Sequence, residues 1–184
     1  MRKNFGKKTW LYPMPVLIIA TYDKNGEVDV MNAAWGGIYD TNQIMICLDH
    51  SHKTTDNIKD VQAFSVSIGD KYNADKCDYV GIISLKKDKD KIKKSGFTFE
   101  KSEFVTAPII KELKMTLECK LNKFNEDGIV VGDIVNVSID DSVLTNDKLD
   151  LNKLAPITFD PINNKYVVLG ENVGNAFKDG MKLK

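Results

Sequence analysis

Arginine is nearly missing from this chain. Its 184 residues carry 26 Lys plus Arg against 26 Asp plus Glu, and Arg2 is the only guanidinium among them. Flat, bidentate reading of phosphates or base edges has little to work with. A formal net charge of zero supplies no long-range field toward nucleic acid or an anionic membrane. Neither partner is expected. Cysteine is scarce too: Cys47, Cys77 and Cys119 are odd in number and show no CxxC spacing. That argues against a disulfide scaffold and for a reducing, cytoplasmic setting. His50 and His52 are the only histidines. Four metal ligands would need distant carboxylates or thiols, so no metal site is assigned. Long apolar runs are absent as well, since Val16 to Ala20 is too short for a signal-peptide core or a membrane span. No GxGxxG or GxxxxGK[ST] occurs, which removes the dinucleotide and P-loop signatures. No serine stands in a readable histidine–acid arrangement, so no catalytic side chain is assigned.

What remains is the composition of an ordinary globular protein, 42% hydrophobic and 28% charged, with length for one domain over residues 1–184. Pro13-Met-Pro15 holds the chain extended into an apolar strand, Val16 to Tyr22. Asp23-Lys-Asn-Gly26 turns it back into Glu27 to Met31. Ile44 to Leu48 reads as a buried strand, and Ala63 to Ile68 as an alternating one. Met115 to Asn122 alternates most clearly, and Asn125-Glu-Asp-Gly128 returns it into Ile129 to Ile139. Helices are expected after Thr54, after Asn73 or Asp75, and over Asp147 to Leu154. A last strand follows at Lys165 to Leu169, and Gly170 to Phe177 has helix-start character. Lys86 to Lys94 reads as a solvated loop or helix face. Strands joined mostly by hairpins, with a few short helices, predict an antiparallel barrel.

One stretch stands out for chemistry. Asn32-Ala33-Ala34-Trp35-Gly36-Gly37 is a run of small residues broken by one ring, which lets a flat ligand approach the backbone. Thr54 and Thr55 precede a short helical pattern, and helix starts collect anions through free N–H groups and the dipole. A ring platform and a phosphate seat joined by one strand suggest a nucleotide-like cofactor, and FMN fits. Each part has a plainer reading: close strand packing for the platform, a helix cap for the threonines, and a core position for Trp35.

Taken in order, Pro13-x-Pro15-Val16, Asn32-Ala-Ala-Trp35, Thr54-Thr55-x-Asn57-Ile58, Leu117-Glu-Cys119 and the tail Gly170-Glu171 to Phe177 resemble the flavin reductase-like, FMN-binding split-barrel family, flavoredoxin type. The resemblance implies a six-stranded antiparallel split β-barrel, non-covalent FMN and a homodimer with the flavin near the interface. By position, Asn32, Ala33, Ala34 and Trp35 would pass along the flavin ring. Ser51, His52, Lys53, Thr54 and Thr55 would meet the phosphate, with Asn57 in the same motif. His52 and Lys53 stand where many relatives carry arginine, and Asp127-Gly128 where relatives often show histidine. The implied function is passage of electrons from NAD(P)H to free flavin or to a redox protein such as ferredoxin or rubredoxin. The alternative is a flavoredoxin-type electron carrier that does not oxidise NAD(P)H itself.

Overall fold

The structure, a computed structural model, describes residues 1–183. Its first long strand, β1 (Leu17–Tyr22), is buried on both faces. Leu17 and Ile19 pack with Ile44, Ile46, Ile58, Phe64 and Val66 on one side. Ile18 and Ala20 join Val30, Cys77, Val80 and Ile110 on the other. Successive strand residues point to opposite faces, so a strand covered on both sides must read as a continuous apolar run. That is why Val16 to Ala20 looked like one.

Along the chain follow β2 (Val28–Ala33), β3 (Gly36–Asp40), β4 (Gln43–Cys47), α1 (Lys53–Val61), β5 (Ala63–Ile68), α2 (Ala74–Ile82), α3 (Lys91–Ser95), β6 (Met115–Phe124) and β7 (Ile129–Ile139). The strands form one antiparallel sheet in the order β2-β1-β5-β6-β7-β4-β3. It curls around the first of the two cores, with Ile58 of α1 packed inside. The edge strands β2 and β3 are neighbours in sequence, joined by Ala34 and Trp35. The barrel is split there. The sheet has one strand more than the six expected, because Gly36 and Gly37 extend as β3 against Ile46 and Met45.

Met14–Pro15, β8 (Ile157–Asp160) and β9 (Lys165–Val168) form a separate three-stranded sheet, whose Ile157, Phe159 and Tyr166 pack into the second core. Gly132 marks a bulge in β7. A Cβ there would lie 2.4 Å from Phe64 Cζ, so the missing side chain is the space that the buried phenyl ring occupies. Gly128 takes φ +82° in the predicted turn, where a Cβ would meet the Leu48 carbonyl oxygen at 2.4 Å.

Three expectations need correcting. The helix over Asp147 to Leu154 shrinks to Leu151–Leu154. Lys148–Leu149 instead pairs with Leu144–Thr145, around Asn146 and Asp147 at positive φ, a conformation these two residue types tolerate. The segment 170–177 forms no helix, and only a 3₁₀ turn follows at Asp179–Leu183. The lysine-rich stretch is not one solvated face, since Lys91 is 3% exposed. Asn73 does stand at the N-cap of α2, but its side chain caps nothing and donates to Asp70 and to the Glu112 carbonyl. Among the described residues no helix is long and apolar enough to cross a membrane.

Candidate functional site

Helix α1 starts bare. His52 is its N-cap in an extended conformation, and no side chain caps the helix. The candidates are engaged elsewhere. Asp49 Oδ1 accepts from the Ser51 N–H at 2.7 Å. Thr55 Oγ1 donates to the Asp49 carbonyl at 2.8 Å. Thr54 Oγ1 donates to Asp29 Oδ2 at 2.6 Å. The backbone N–H groups of Lys53, Thr54 and Thr55 therefore find no acceptor among the described residues. Such orphan donors at the positive end of a helix are an anion seat.

The first two of these residues, Lys53 and Thr54, border a cleft of about 200 Å³. His52, Lys53 and Thr54 line it together with the segment Gly81 to Leu85, and Asp29, Met31 and Lys91 line it as well. Lys86 ties the segment to the helix start: its Nζ donates to the Ser51 carbonyl at 2.6 Å and lies 3.0 Å from Asp56 Oδ2.

Asp29 and Lys91 are a buried ion pair, each side chain 3% exposed and the charged atoms 3.9 Å apart. Lys91 Nζ donates to the Val30 carbonyl at 2.5 Å. Burial pulls the Lys91 ammonium's pKa down, and the Asp29 carboxylate pushes it back up. Asp29 Oδ1 accepts no hydrogen bond from the described residues. A carboxylate oxygen kept from water without a donor is costly to maintain.

The platform separates into parts. Asn32 Nδ2 donates to the Cys77 carbonyl at 3.1 Å, and a Cβ on Gly81 would lie 3.0 Å from Asn32 Cβ. Helix α2 is thus packed tightly behind the end of β2. Ala33 belongs to the barrel core. Trp35 is 59% exposed, so the plainer reading of it as a core ring is wrong. Gly36 is small for the neighbouring strand's sake: a Cβ there would sit 2.8 Å from the Met45 carbonyl oxygen and 2.9 Å from Leu17 Cδ1. That corrects the reading of Gly36 as clearance for a ligand, whereas Gly37 does face open space.

Ala34 and Trp35 line a second cleft, of about 470 Å³, with Met45, Cys47 and the N-terminal arm at Trp10, Leu11 and Pro13. Its walls are mostly apolar, and its size lies in the range of small-molecule sites. Met31 lines the first cleft and Ala34 the second, so about 10 Å of extended chain connects them. The end of β2 therefore runs from a helix start with free donors to a pocket between indole rings.

Of the ten positions singled out from sequence, His52, Lys53 and Thr54 border the first cleft and Ala34 and Trp35 the second. Asn32 and Ala33 lie on the strand between, and Ser51 is exposed at the helix start. Thr55 and Asn57 are fully buried, and Asn57 Nδ2 donates to Thr21 Oγ1 at 3.0 Å. Their side chains hold α1 to its surroundings and do not line either cleft. Sequence reasoning missed Asp29, Lys91 and the 81–85 segment. The available signal was Asp29 on the same face of β2 as Met31 and Ala33, an acid on a core-facing side.

Residues 9–158 match the flavin reductase-like domain, and the chain belongs to that family. Its likeness within the family is to the flavoredoxins. The flavoredoxin of Desulfovibrio vulgaris (Miyazaki F) is 34% identical, with 98% of this chain and 100% of that one covered at a TM-score of 0.93. The flavoredoxin from Methanosarcina acetivorans is 28% identical, with both chains covered in full at 0.89. An FMN-binding domain of a flavin reductase-like enzyme from Shewanella baltica shares the fold at 18% identity, 88% coverage of each chain and a TM-score of 0.79. An uncharacterized protein of Aquifex aeolicus is 25% identical over 168 residues.

Proposed function

We propose that the chain binds FMN without a covalent bond and passes electrons through it, from NAD(P)H to free flavin or to a redox protein such as a ferredoxin or rubredoxin. The observation that carries this reading is the uncapped start of α1, three free backbone donors beside Lys53, in a chain of the flavin reductase-like family. When bound, FMN supplies the reversible uptake and release of electrons.

The protein's own work is binding and placement. The N–H groups of Lys53, Thr54 and Thr55 and the Lys53 ammonium hold the phosphate. Ala34 and Trp35 offer a flat apolar seat for the ring, and the Asn32 amide, fixed by the Cys77 carbonyl, keeps that seat rigid. Exposure of Trp35 leaves one side accessible for a donor or acceptor, and for a second copy of the chain in a homodimer.

The experiment is direct. Flavin released from purified protein by heat or acid is identified as FMN or FAD. The loaded protein is then mixed anaerobically with NADH, with NADPH, and with reduced ferredoxin or rubredoxin. Loss of the flavin's visible absorbance with a nicotinamide supports a reductase. Reduction by the redox protein alone supports a carrier and removes the nicotinamide step. A protein that stays colourless after reconstitution with FMN overturns the proposal.

A further inference from the structure

We infer that the N-terminal arm, residues 1–12, is the docking surface for an acidic redox protein that exchanges electrons with the flavin; this rests on the FMN reading above. Arg2, Lys3, Lys7 and Lys8 all stand in the arm, and the chain has no Asp or Glu before Asp23. In a molecule whose charges sum to zero, that is a strong local excess of one sign. Every residue of the arm is exposed. None of the four cations pairs with a carboxylate among the described residues. The carboxylate that the arm does touch, Asp160, holds its root through Tyr12 and leaves most of the charge uncompensated. The cations are not far from the chemistry either. Lys8 lines the second cleft together with Trp10, Trp35, Met45 and Cys47, and its Nζ lies 5.6 Å from the centre of the Trp10 ring.

Electron transfer between two proteins weakens steeply with distance. A carrier therefore has to dock at the mouth of the cleft that seats the ring, and the arm is one wall of that mouth. Positive side chains around exposed Phe5, at 61%, and Leu11, at 68%, match the anatomy of a small interface with an apolar centre and a polar rim. A second copy of the chain does not suit this surface, because it would set the same four cations against them and like charges repel. A membrane suits it poorly, since the arm forms no helix and presents no continuous apolar face to a bilayer. A protein with an acidic face does suit it. Carriers of one electron reduce the flavin in two visits. Each carrier is oxidised by one electron and leaves, the flavin gains two in all, and its protons come from solvent. Such a partner must bind briefly and go, which is the regime of small, charge-steered encounters.

The test is the rate at which FMN-loaded protein is reduced, followed anaerobically in a stopped-flow mixer by loss of flavin absorbance. The probes are a reduced ferredoxin and a reduced rubredoxin, each of net negative charge. Steering predicts a second-order rate that falls about tenfold or more as ionic strength rises from about 0.05 to about 0.5 M. The triple variant R2E/K3E/K7E, which spares Lys8 and the cleft, should be about ten- to hundredfold slower at low salt and close to the parent at high salt. Its FMN affinity should match the parent's, and so should its reduction by photochemically generated deazaflavin radical, a small neutral reductant. The variant K87E/K89E/K93E makes the same charge change on the other lysine-rich surface and should be slowed far less. Rates indifferent to salt, equal slowing by the two triple variants, or no reduction by either carrier overturns the inference and leaves the bound flavin standing. Co-sedimentation with phosphatidylserine vesicles that R2E/K3E/K7E abolishes, with its carrier rates unchanged, assigns the arm to a membrane and overturns it as well. A parent protein that takes up no FMN removes the reading beneath the inference, and is seen before any variant is made.

Discussion

Thr54 Oγ1 gives its proton to Asp29 Oδ2 across 2.6 Å, in a contact buried from solvent on both sides. The hydroxyl that looked from sequence like a phosphate ligand is thereby committed to the sheet, and the helix start offers its backbone instead. Thr54 is 2% exposed, so its side chain does not face solvent. A glutamate there would put a second carboxylate against Asp29 in a buried place. Thr54→Glu is therefore a folding lesion and no clean probe of phosphate binding.

The milder substitutions separate the roles. Thr54→Val leaves Asp29 with both oxygens short of donors and should lower unfolding free energy by about 1–3 kcal/mol. Thr54→Ser keeps the donor and should cost less than about 1 kcal/mol. Urea unfolding of the three proteins checks the order. A valine variant as stable as the parent would mean that the hydroxyl is not needed where it sits.

Lys53 is the better probe of the anion seat. Its side chain is partly exposed and lies 3.8 Å from Asp23, a weak surface pair. Lys53→Glu should weaken FMN about tenfold or more, because a charge-assisted contact becomes a repulsion. Riboflavin, which has no phosphate, should bind the variant and the parent alike. Equal losses for both ligands would place the phosphate elsewhere.

Much of this architecture was legible. The hairpins announced themselves through Asp23-Lys-Asn-Gly26 and Asn125-Glu-Asp-Gly128, and the strict alternation at Met115 to Asn122 gave β6. Those signals are local, carried by backbone angles and by the period of a strand. The misses needed contacts between distant residues. Nothing in Lys86 to Lys94 marks Lys91 as different from its neighbours until α3 is laid against β2, 61 residues away in sequence. Gly36 and Gly37 look alike as letters, yet one is squeezed by Met45 and Leu17 and the other faces open space. The platform was found because small residues are rare enough in a strand to be noticed. Asp29 of the first cleft was missed because a lone Asp in β2 has many ordinary explanations.

A tighter test of the packing comes from Gly132. The Phe64 ring fills the space in front of it, 2.4 Å from where a Cβ would stand. Gly132→Ala should overpack the barrel and cost about 1–3 kcal/mol. The double variant Gly132→Ala with Phe64→Leu should recover part of that loss. If the alanine is neutral on its own, the bulge yields more easily than a packed core allows.

The homodimer is a proposal with a place to look. β3 is an edge strand carrying Ile38 at 71% exposed and Tyr39 at 47%, next to Trp35. Unpaired edges with apolar side chains invite a partner strand. Light scattering should report twice the 20.7 kDa chain mass. Ile38→Lys should shift it toward one chain while retaining the secondary structure. A monomer in the parent protein that still binds FMN would show the second copy to be unnecessary.

The arm that walls the second cleft should come loose in acid. Tyr12 donates a short hydrogen bond to Asp160 Oδ1, which joins the arm bearing Trp10 and Leu11 to β8. The hydrogen bond from Tyr12, together with one from Asn163, holds the Asp160 carboxyl down to about 2, against an ordinary 3.8. A carboxylate with a depressed folded pKa stabilises the folded form fully above its ordinary value. That contribution fades as pH falls from about 3.8 through about 2, when the proton finally binds. The direction follows from the acceptor: protonation removes the charge that makes Tyr12 a strong partner, while neutral pH leaves it whole. Trp10 lines the second cleft with Met45 and Cys47 of the barrel, so its fluorescence reports on whether the arm is docked. A Trp35→Phe background isolates that signal. The Trp10 emission should be flat above pH 4 and shift on acidification before the core unfolds. Tyr12→Phe should shift it already at neutral pH, and Asp160→Asn should abolish the acid step. An acid transition that persists unchanged in Asp160→Asn would assign it to some other carboxylate.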